Sequence, residues 1–390
     1  MGVAEYVRAL LASDKLGPQV RHHRCEPARA AVYAESRLPW RTMEERGLRG
    51  LYSHQALATD HIRAGHSVVV ATPTASGKSL IYNLPVLERH LRDSEARALY
   101  LFPLKALAQD QLAGLQRLVS GWPEEARPTA ALYDGDTSDH FRRKIRRDPP
   151  TVLISNPEML HLALLPHHEQ WAPFLAGLSH IVVDEAHTYR GVFGAHMAGV
   201  FRRLNRLAAH YGATPSYVFC TATVGNPGEL AASLSGLDLL PGRQPPVVVD
   251  QSGAPQGARH YVFLDPDQSP ATAAIDLLRA ALARKLRTIV YCRSRRMTEL
   301  VSLWAGSLSG PWAGRISAYR AGFLPEERRQ IEARMASSWA STSAGWVSAF
   351  WWAIRAPSCP PCSGAGAWAG RSRSRPWCWW RARTRWTSIS

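Results

Sequence analysis

The chain has 390 residues, of which 46% are hydrophobic and 20% charged, a composition typical of a soluble globular protein with room for two domains. No apolar run is long enough to span a bilayer and the N-terminus lacks a signal-peptide core, so we expect a cytoplasmic protein with no membrane partner. Six scattered cysteines exclude a disulfide framework, and a net charge of +16 favours nucleic acid as partner.

Short apolar runs alternate with longer amphipathic stretches from about Thr59 onward. The runs are rich in β-formers and apolar on both faces, which predicts parallel strands covered by helices on both sides. We therefore predict an α/β domain over residues 51–240, preceded by an N-terminal extension over 1–50. The predicted strands are 67–71, 98–102, 151–155, 180–184 and 216–220.

A stretch rich in proline and glycine follows, and we interpret residues 241–260 as a linker or a sheet-edge crossing. A helical pattern near 271–285 and an apolar run at 287–292 then begin a second α/β domain, which we place at 261–335.

The sequence TPTASGKS (72–79) follows the first predicted strand and precedes a helical stretch, as a phosphate-binding loop does. Its backbone amides would hold the phosphates of ATP, Lys78 would reach the β- and γ-phosphates, and Ser79 would bind Mg²⁺. A chance Gly-Lys-Ser in a turn is the alternative, and the flanking strand and helix argue against it. The other candidate nucleotide contacts are Thr72, Thr74, Ala75, Ser76 and Gly77.

Two further predicted strands end in polar residues that could take part in catalysis. In IVVDEAH (181–187), Asp184 is a candidate Mg²⁺ ligand, Glu185 could polarise the attacking water, and His187 could connect the γ-phosphate to the next motif. A helix cap is the alternative for the two carboxylates alone. In CTATVGNP (220–227), the candidate coupling residues are the hydroxyls of Thr221 and Thr223, a weak signal by itself.

These three motifs, in this order and spacing, resemble motifs I, II and III of superfamily 2 helicases. LYSHQ (51–55) resembles their Q motif, which implies that Gln55 contacts adenine. The segments 101–111, 155–160 and 288–296 are similar to motifs Ia, Ib and IV. The nucleic-acid contacts that this implies are Pro103, Lys105, Asn156, Pro157, Glu158 and Arg293.

The match narrows to the YprA/MrfA-like, RecQ-like branch of DEAD/DEAH-box helicases. The chain resembles this branch in LYSHQA (51–56), DEAHTYRGVFGAH (184–196) and YRAGFLPEERR (319–329). The resemblance covers about residues 20–335. It implies two RecA-like domains, the second incomplete, and an ATP-driven 3′→5′ translocase acting on single-stranded or 3′-tailed DNA in DNA repair. An RNA helicase and a non-catalytic ATP- and nucleic-acid-binding remnant are the alternatives, and no protein partner can be inferred.

Two smaller features carry little weight. The basic stretch FRRKIRRD (141–148) could line a DNA path or could be a solvated helix face. The spacing of CPPC (359–362) suits zinc, but no second cysteine pair follows it.

The composition changes after about Met335. From Ala336 to Ser390 there is no Asp, Glu or Lys, and nine of the 14 tryptophans lie there. RPWCWWRARTRW (375–386) could be a nucleic-acid clamp, because indole rings stack on bases and guanidinium groups pair with phosphates.

The tail can also be read in another frame, with each codon taken from the third base of one residue and the first two of the next. Because tryptophan has one codon, several readings are forced: Trp339-Ala340 becomes Gly, Trp351-Trp352 becomes Val and Trp386-Thr387 becomes Asp. The surrounding codons permit L-G-I-D-V-G-G-L, V-G-Y-P-G-T-L and V-L-V-A-R-E-D-A-L-D-Q-Y-L, which are helicase-like. We interpret residues 336–390 as an out-of-frame translation.

Overall fold

A computed structural model of the chain separates it into two units, one formed by residues 31–254 and the other by 1–30 together with 255–390. The structure describes residues 2–34, 50–222, 224–320, 322–323, 326–327, 330–331, 347–351 and 378–383.

Twelve strands lie in the described ranges. In chain order they are β1 (Val20–Glu26), β2 (Val68–Ala71), β3 (Arg97–Leu101), β4 (Ala130–Tyr133), β5 (Val152–Ser155), β6 (Leu178–Val183), β7 (Ser216–Thr221), β8 (Val247–Val249), β9 (Arg259–Leu264), β10 (Arg287–Tyr291), β11 (Val347–Trp351) and β12 (Cys378–Arg383).

Eleven α-helices lie in the same ranges, besides short 3₁₀ turns and one π-helical turn at Leu160–Leu164. In chain order they are α1 (Val3–Leu11), α2 (Ser53–Arg63), α3 (Lys78–Arg92), α4 (Lys105–Val119), α5 (Asp139–Arg147), α6 (Pro157–Met159), α7 (Ala172–Ala176), α8 (Gly191–His210), α9 (Pro227–Ser235), α10 (Pro270–Ala283) and α11 (Arg295–Leu308).

The first unit is built on a seven-stranded sheet in the order β4-β5-β3-β6-β7-β2-β8, and all its strand pairs are parallel. Alternate residues of β3 enter opposite cores: Leu99 and Leu101 pack on one face, Ala98 and Tyr100 on the other. Both faces are therefore covered, which explains why the strands are apolar throughout. The α/β fold class is confirmed, and the five predicted strands lie within two residues of their expected bounds.

Neither edge strand of this sheet, β4 or β8, was predicted. Residues 247–249, inside the expected linker over 241–260, form β8 and pair with β2. Of the two alternatives for this stretch, these residues agree with the sheet edge rather than the linker, and the boundary between the units falls after Ala254. Three consecutive valines favour a strand, but the proline and glycine around them hid the signal.

The second unit contains a mixed sheet in the order β1-β9-β12-β11-β10. Helix α1 shares one core with β9 and α10 through Val3, Tyr6 and Leu10, and the Tyr6 hydroxyl donates to the Leu277 carbonyl of α10 at 2.9 Å. The expected N-terminal extension is therefore part of this unit up to Ala30. Its strand β1 pairs antiparallel with β9.

The tail, where the sequence showed no strand pattern, contributes two strands to the same sheet. Strand β11 pairs parallel with β10, and β12 lies antiparallel between β11 and β9. No helix among the described residues is long and apolar enough to cross a membrane.

The buried His180 on β6 links folding to pH. Burial, with a smaller contribution from Arg89, lowers its pKa from about 6.5 to about 4. Since the unfolded chain binds the proton more tightly, the imidazole favours folding above pH 6.5 and this contribution is lost as pH falls toward 4. We expect the free energy of unfolding by urea to fall by about 2 kcal/mol more between pH 7 and pH 5 in the parent than in His180→Asn.

The exposed His210 provides the control, because His210→Asn should leave the parent's pH dependence unchanged. Equal pH slopes for the parent and His180→Asn would show that His180 is not buried as a neutral group.

Candidate nucleotide and nucleic-acid site

The three candidate catalytic motifs, at 72–79, 181–187 and 220–227, follow three adjacent strands of the parallel sheet. The loop after β2, the residues after β7 and those after β6 all leave the sheet at its carboxyl edge. Ala71 pairs with Thr221, and Val183 pairs with Phe219. The crossover topology thus brings together residues that are about a hundred positions apart in sequence.

The phosphate loop is folded onto its own carbonyls. The Lys78 Nζ donates to the carbonyl oxygens of Thr72 at 2.9 Å and Pro73 at 3.0 Å. Inside the loop the hydroxyls of Thr72 and Ser76, both buried, lie 2.7 Å apart and share a hydrogen bond. To bind an anion, the Lys78 ammonium group would therefore have to leave these two carbonyl oxygens.

Two loop residues have left-handed backbone. Gly77 has φ 79°, a conformation that favours glycine, and a Cβ there would displace the side-chain nitrogen of Gln55. Ala75 has φ 65°, in the position where many such loops carry glycine. A left-handed alanine costs about 1–2 kcal/mol, so this chain holds the loop turn under strain.

Helix α2 lies against the loop. Gln55 Nε2 donates to the Gly77 carbonyl at 2.8 Å, and Gln55 Oε1 accepts from the Tyr52 amide at 2.9 Å. The guanidinium of Arg63 forms a bidentate pair with Glu88, at 2.8 and 2.6 Å, and thereby fastens α2 to the helix that follows the loop.

The carboxylates after β6 have unequal environments. Burial raises the pKa of Asp184 to about 6, opposed by the hydrogen bond from the Glu185 amide at 2.8 Å and by the positive charge of Lys78. Glu185 itself has φ 49°, a strained left-handed conformation at the very residue expected to act on water.

His187 connects the second motif to the third. Its Nδ1 lies 3.3 Å from Glu185 Oε2 and 3.5 Å from the Thr221 hydroxyl. Thr221 and His187 therefore lie in contact, and their role in coupling stays a prediction. The other predicted coupling residue, Thr223, lies outside the described residues.

An Mg²⁺ ion would find few protein ligands at this edge. Within the described ranges, no group of three His, Cys, Asp or Glu could hold a metal. Asp184 and the half-buried Ser79, at the start of α3, offer one carboxylate and one hydroxyl. That set fits a hydrated Mg²⁺ carried by a nucleotide, and the raised pKa of Asp184 marks a buried carboxyl that a cation would favour in its ionised form.

The predicted nucleic-acid residues of the first unit follow β3 and β5. Lys105 is paired with Asp136 at 2.7 Å, and this pair raises the pKa of the lysine. The exposed Glu158 makes a smaller contribution in the same direction. Asn156 Oδ1 caps α6 by accepting from the Met159 amide at 2.9 Å.

Of the remaining predicted contacts, Pro157 is buried, Pro103 is half-buried, and Arg293 is exposed after β10 in the second unit. The cysteine pair at 359–362 lies outside the described residues.

Residues 52–230 match the family model for the DEAD/DEAH box helicase. The Bacillus subtilis (strain 168) ATP-dependent helicase YprA is 43% identical over 301 residues, covering 74% of this chain and 39% of YprA. The ATP-dependent helicase hrq1 of Schizosaccharomyces pombe is 35% identical, covering 74% of this chain and 28% of hrq1. The crystal structure of the DUF1998 helicase MrfA bound to DNA matches with TM-score 0.75 and 37% identity, over 85% of this chain and 47% of MrfA.

This chain carries a DEAD/DEAH box helicase domain. Its relatives are YprA/MrfA-like helicases, and its fold is RecA-like, as the resemblance implied. The chain spans less than half the length of each of these three relatives.

The helicase domain also has a polar residue that the sequence analysis missed. His54, beside Gln55, is buried and bonded to the phosphate loop and to Gly253. Its place in LYSHQ was the available signal, but only the three-dimensional contacts distinguish it from an ordinary core histidine.

The strained Ala75 gives a stability prediction for the helicase domain. Ala75→Gly should raise the free energy of unfolding by about 0.5–1 kcal/mol, because glycine adopts the left-handed region without strain and this exceeds its extra unfolded-state entropy. Ala195→Gly, on the exposed face of α8, should lower it by about 1 kcal/mol. Urea unfolding of both variants measures this, and destabilisation by Ala75→Gly would contradict the left-handed assignment.

Proposed function

We propose that the helicase domain binds and hydrolyses ATP with Mg²⁺ and belongs to a 3′→5′ DNA translocase of DNA repair. The observation that carries this proposal is the juxtaposition of Lys78, the Asp184–Glu185 pair and the His187–Thr221 contact at three adjacent strand ends. The relatives named as ATP-dependent helicases support it. We also propose a cytoplasmic location.

Each side chain then has a role that its geometry allows. Lys78 leaves the carbonyls of Thr72 and Pro73 for the β- and γ-phosphates. Ser79 and Asp184 would hold Mg²⁺, which would neutralise charge on the phosphates. Glu185 orients the attacking water and accepts its proton.

His187, within 3.3 Å of Glu185 and 3.5 Å of Thr221, holds that carboxylate and couples it to the strand end beside the loop. Thr223 is proposed to share this coupling. Gln55 contacts adenine while its amide nitrogen stays bonded to the loop at Gly77.

For the nucleic acid we propose a path over the ends of β3 and β5, along Pro103, Lys105 and residues 156–158, with Arg293 as a further contact. The Lys105–Asp136 pair is exposed, so its free-energy contribution is small and a phosphate can replace the carboxylate. The structure of MrfA bound to DNA supports DNA as the substrate class.

Binding of a labelled single-stranded DNA should weaken steeply with salt, because phosphate neutralisation releases counterions. Lys105→Gln should reduce the salt slope by about 0.7, the value for one contact to a single strand. Lys144→Gln on α5 should leave it unchanged if that basic helix is only solvated. Fluorescence anisotropy over a salt series measures each slope.

The same titration tests the remaining alternatives. A chain ending at Met335 lacks β11 and β12 but keeps the proposed path of the first unit, so it should keep its DNA binding, and its loss would contradict that path and favour the clamp alternative for residues 375–386. Tighter binding of an RNA strand of the same sequence would overturn the choice of DNA.

We further propose that residues 336–390 are read out of frame and that the chain as written lacks the arginine-bearing motif VI. In the helicases that this chain resembles, motif VI contains the sequence G-R-A-G-R, and the segment GAGAWAGRSRSRPW (364–377) stands in its place here. An arginine at the transferred phosphoryl group contributes about 10³–10⁵ in rate, so its loss would leave a protein that binds ATP and DNA but turns over poorly.

Steady-state ATP hydrolysis with and without single-stranded DNA tests both proposals. A version with the frame restored after codon 335 should show DNA-stimulated hydrolysis at least about 10³-fold faster than the chain as written. Lys78→Ala in the restored version should abolish it, as the matched control. Robust DNA-stimulated turnover by the chain as written would show instead that the tail completes the site.

A further inference from the structure

His54 has both ring nitrogens engaged inside the helicase domain. Its Nε2 lies 3.0 Å from the Ser76 carbonyl oxygen, and the Gly253 amide donates to its Nδ1 at 3.2 Å. Because Nδ1 accepts from the Gly253 amide it carries no proton, so the ring is neutral, and burial, which lowers the His54 pKa, favours the same state. The one ring proton is therefore on Nε2, which donates to Ser76.

The bond to Ser76 sets the direction of a peptide. In a trans peptide the C=O and N–H point in opposite directions, and no described peptide here is cis. The Ser76 carbonyl is directed to His54, so the Gly77 amide points away from α2. The Gly77 carbonyl accepts from Gln55 and from the Leu80 amide in the first turn of α3, and these two bonds direct the Lys78 amide in the same way. His54 and Gln55, which are neighbours on α2, therefore help to orient two successive loop amides, those of Gly77 and Lys78, away from α2.

Successive amides aimed out of one side of such a loop are the groups that bind phosphates. We propose that His54 is a positioning residue for ATP: its Nε2–H holds the Ser76–Gly77 peptide with the amide turned toward the phosphate site before the nucleotide arrives. This inference rests on the proposed ATP binding and assigns a role to a residue outside the expected catalytic and binding set.

His54 is itself held by a closely packed segment. A Cβ on Gly253 would overlap the Ser53 hydroxyl and the Val32 carbonyl oxygen, and the Val32 amide donates to the Gly253 carbonyl at 2.8 Å. The residues just before the unit boundary are thus packed against the start of α2. With the Arg63–Glu88 pair at the other end of that helix, the imidazole has a fixed support.

Two substitutions separate the two hydrogen bonds of the ring. The Oδ1 of His54→Asn replaces Nδ1 and keeps the bond from Gly253, but its amide is too short to reach Ser76. The Nε2 of His54→Gln replaces the ring Nε2 and keeps the bond to Ser76. The probe is a fluorescent ATP analogue with Mg²⁺, titrated into the 390-residue chain, so that no turnover is needed.

We expect the analogue's dissociation constant to rise about tenfold in His54→Asn, the factor that one buried hydrogen bond supplies. In His54→Gln it should stay within about twofold of the parent, although both variants lose the ring's packing. His180→Asn, which replaces a buried histidine at the far end of β6, should leave it unchanged. Rescue by Gln but not Asn is a result that a purely structural histidine would not give.

Two results would overturn the inference alone: analogue binding by His54→Asn as tight as by the parent, or binding by His54→Gln as weak as by His54→Asn. ¹⁵N NMR of the histidine ring offers a second test, because a proton on Nδ1 rather than Nε2 would also overturn it. Failure of the parent chain to bind the analogue would overturn the proposed ATP binding itself and this inference with it.

Discussion

The in-register parallel pairing of β6, β7 and β2 is the constraint on which the site depends. Parallel ladders force every strand to end at the same edge, so whatever follows these strands must meet there. The phosphate loop, the Asp184–Glu185 pair and Thr221 are three consequences of one hydrogen-bonding pattern. Both faces of the sheet are sealed by apolar cores, so the carboxyl edge is where polar side chains can converge.

Several residues at that edge have conformations or environments that destabilise the folded state. Ala75 and Glu185 have left-handed backbone, and Asp184 is a buried carboxyl whose pKa is raised to about 6. Each feature is tolerated because the adjacent strands and helices fix the backbone around it. The arrangement is typical of a site in which binding a polyanion and its cation relieves costs that folding has already incurred.

The loop is held through its carbonyl side. Thr72 and Pro73 accept from Lys78, and Ser76 and Gly77 accept from α2. Because each peptide has one donor and one acceptor in opposite directions, engaging the carbonyls on one side orients the amides to the other. Helix α2 thus contributes to the loop's anion-binding geometry as well as to the expected contact with adenine.

The sequence by itself determined the α/β class, the five central strands and the identity of the loop and carboxylate motifs. These signals are local: a run of apolar residues, a Gly-Lys-Ser after a strand, and a strand ending in Asp-Glu. The altered composition after Met335 was equally local and visible. Each needs only neighbouring residues to be recognised.

Only the tertiary structure decided which distant residues meet. Strand β8 was hidden among prolines and glycines, and residues 1–30 joined the unit that resumes at 255, because strand pairing and helix packing act over long sequence separations. The two bonds of His54 join residues 22 and 199 positions away. No local pattern encodes them: they arise because α2, the loop and the segment before the unit boundary pack into one space, where a buried imidazole must satisfy both of its nitrogens.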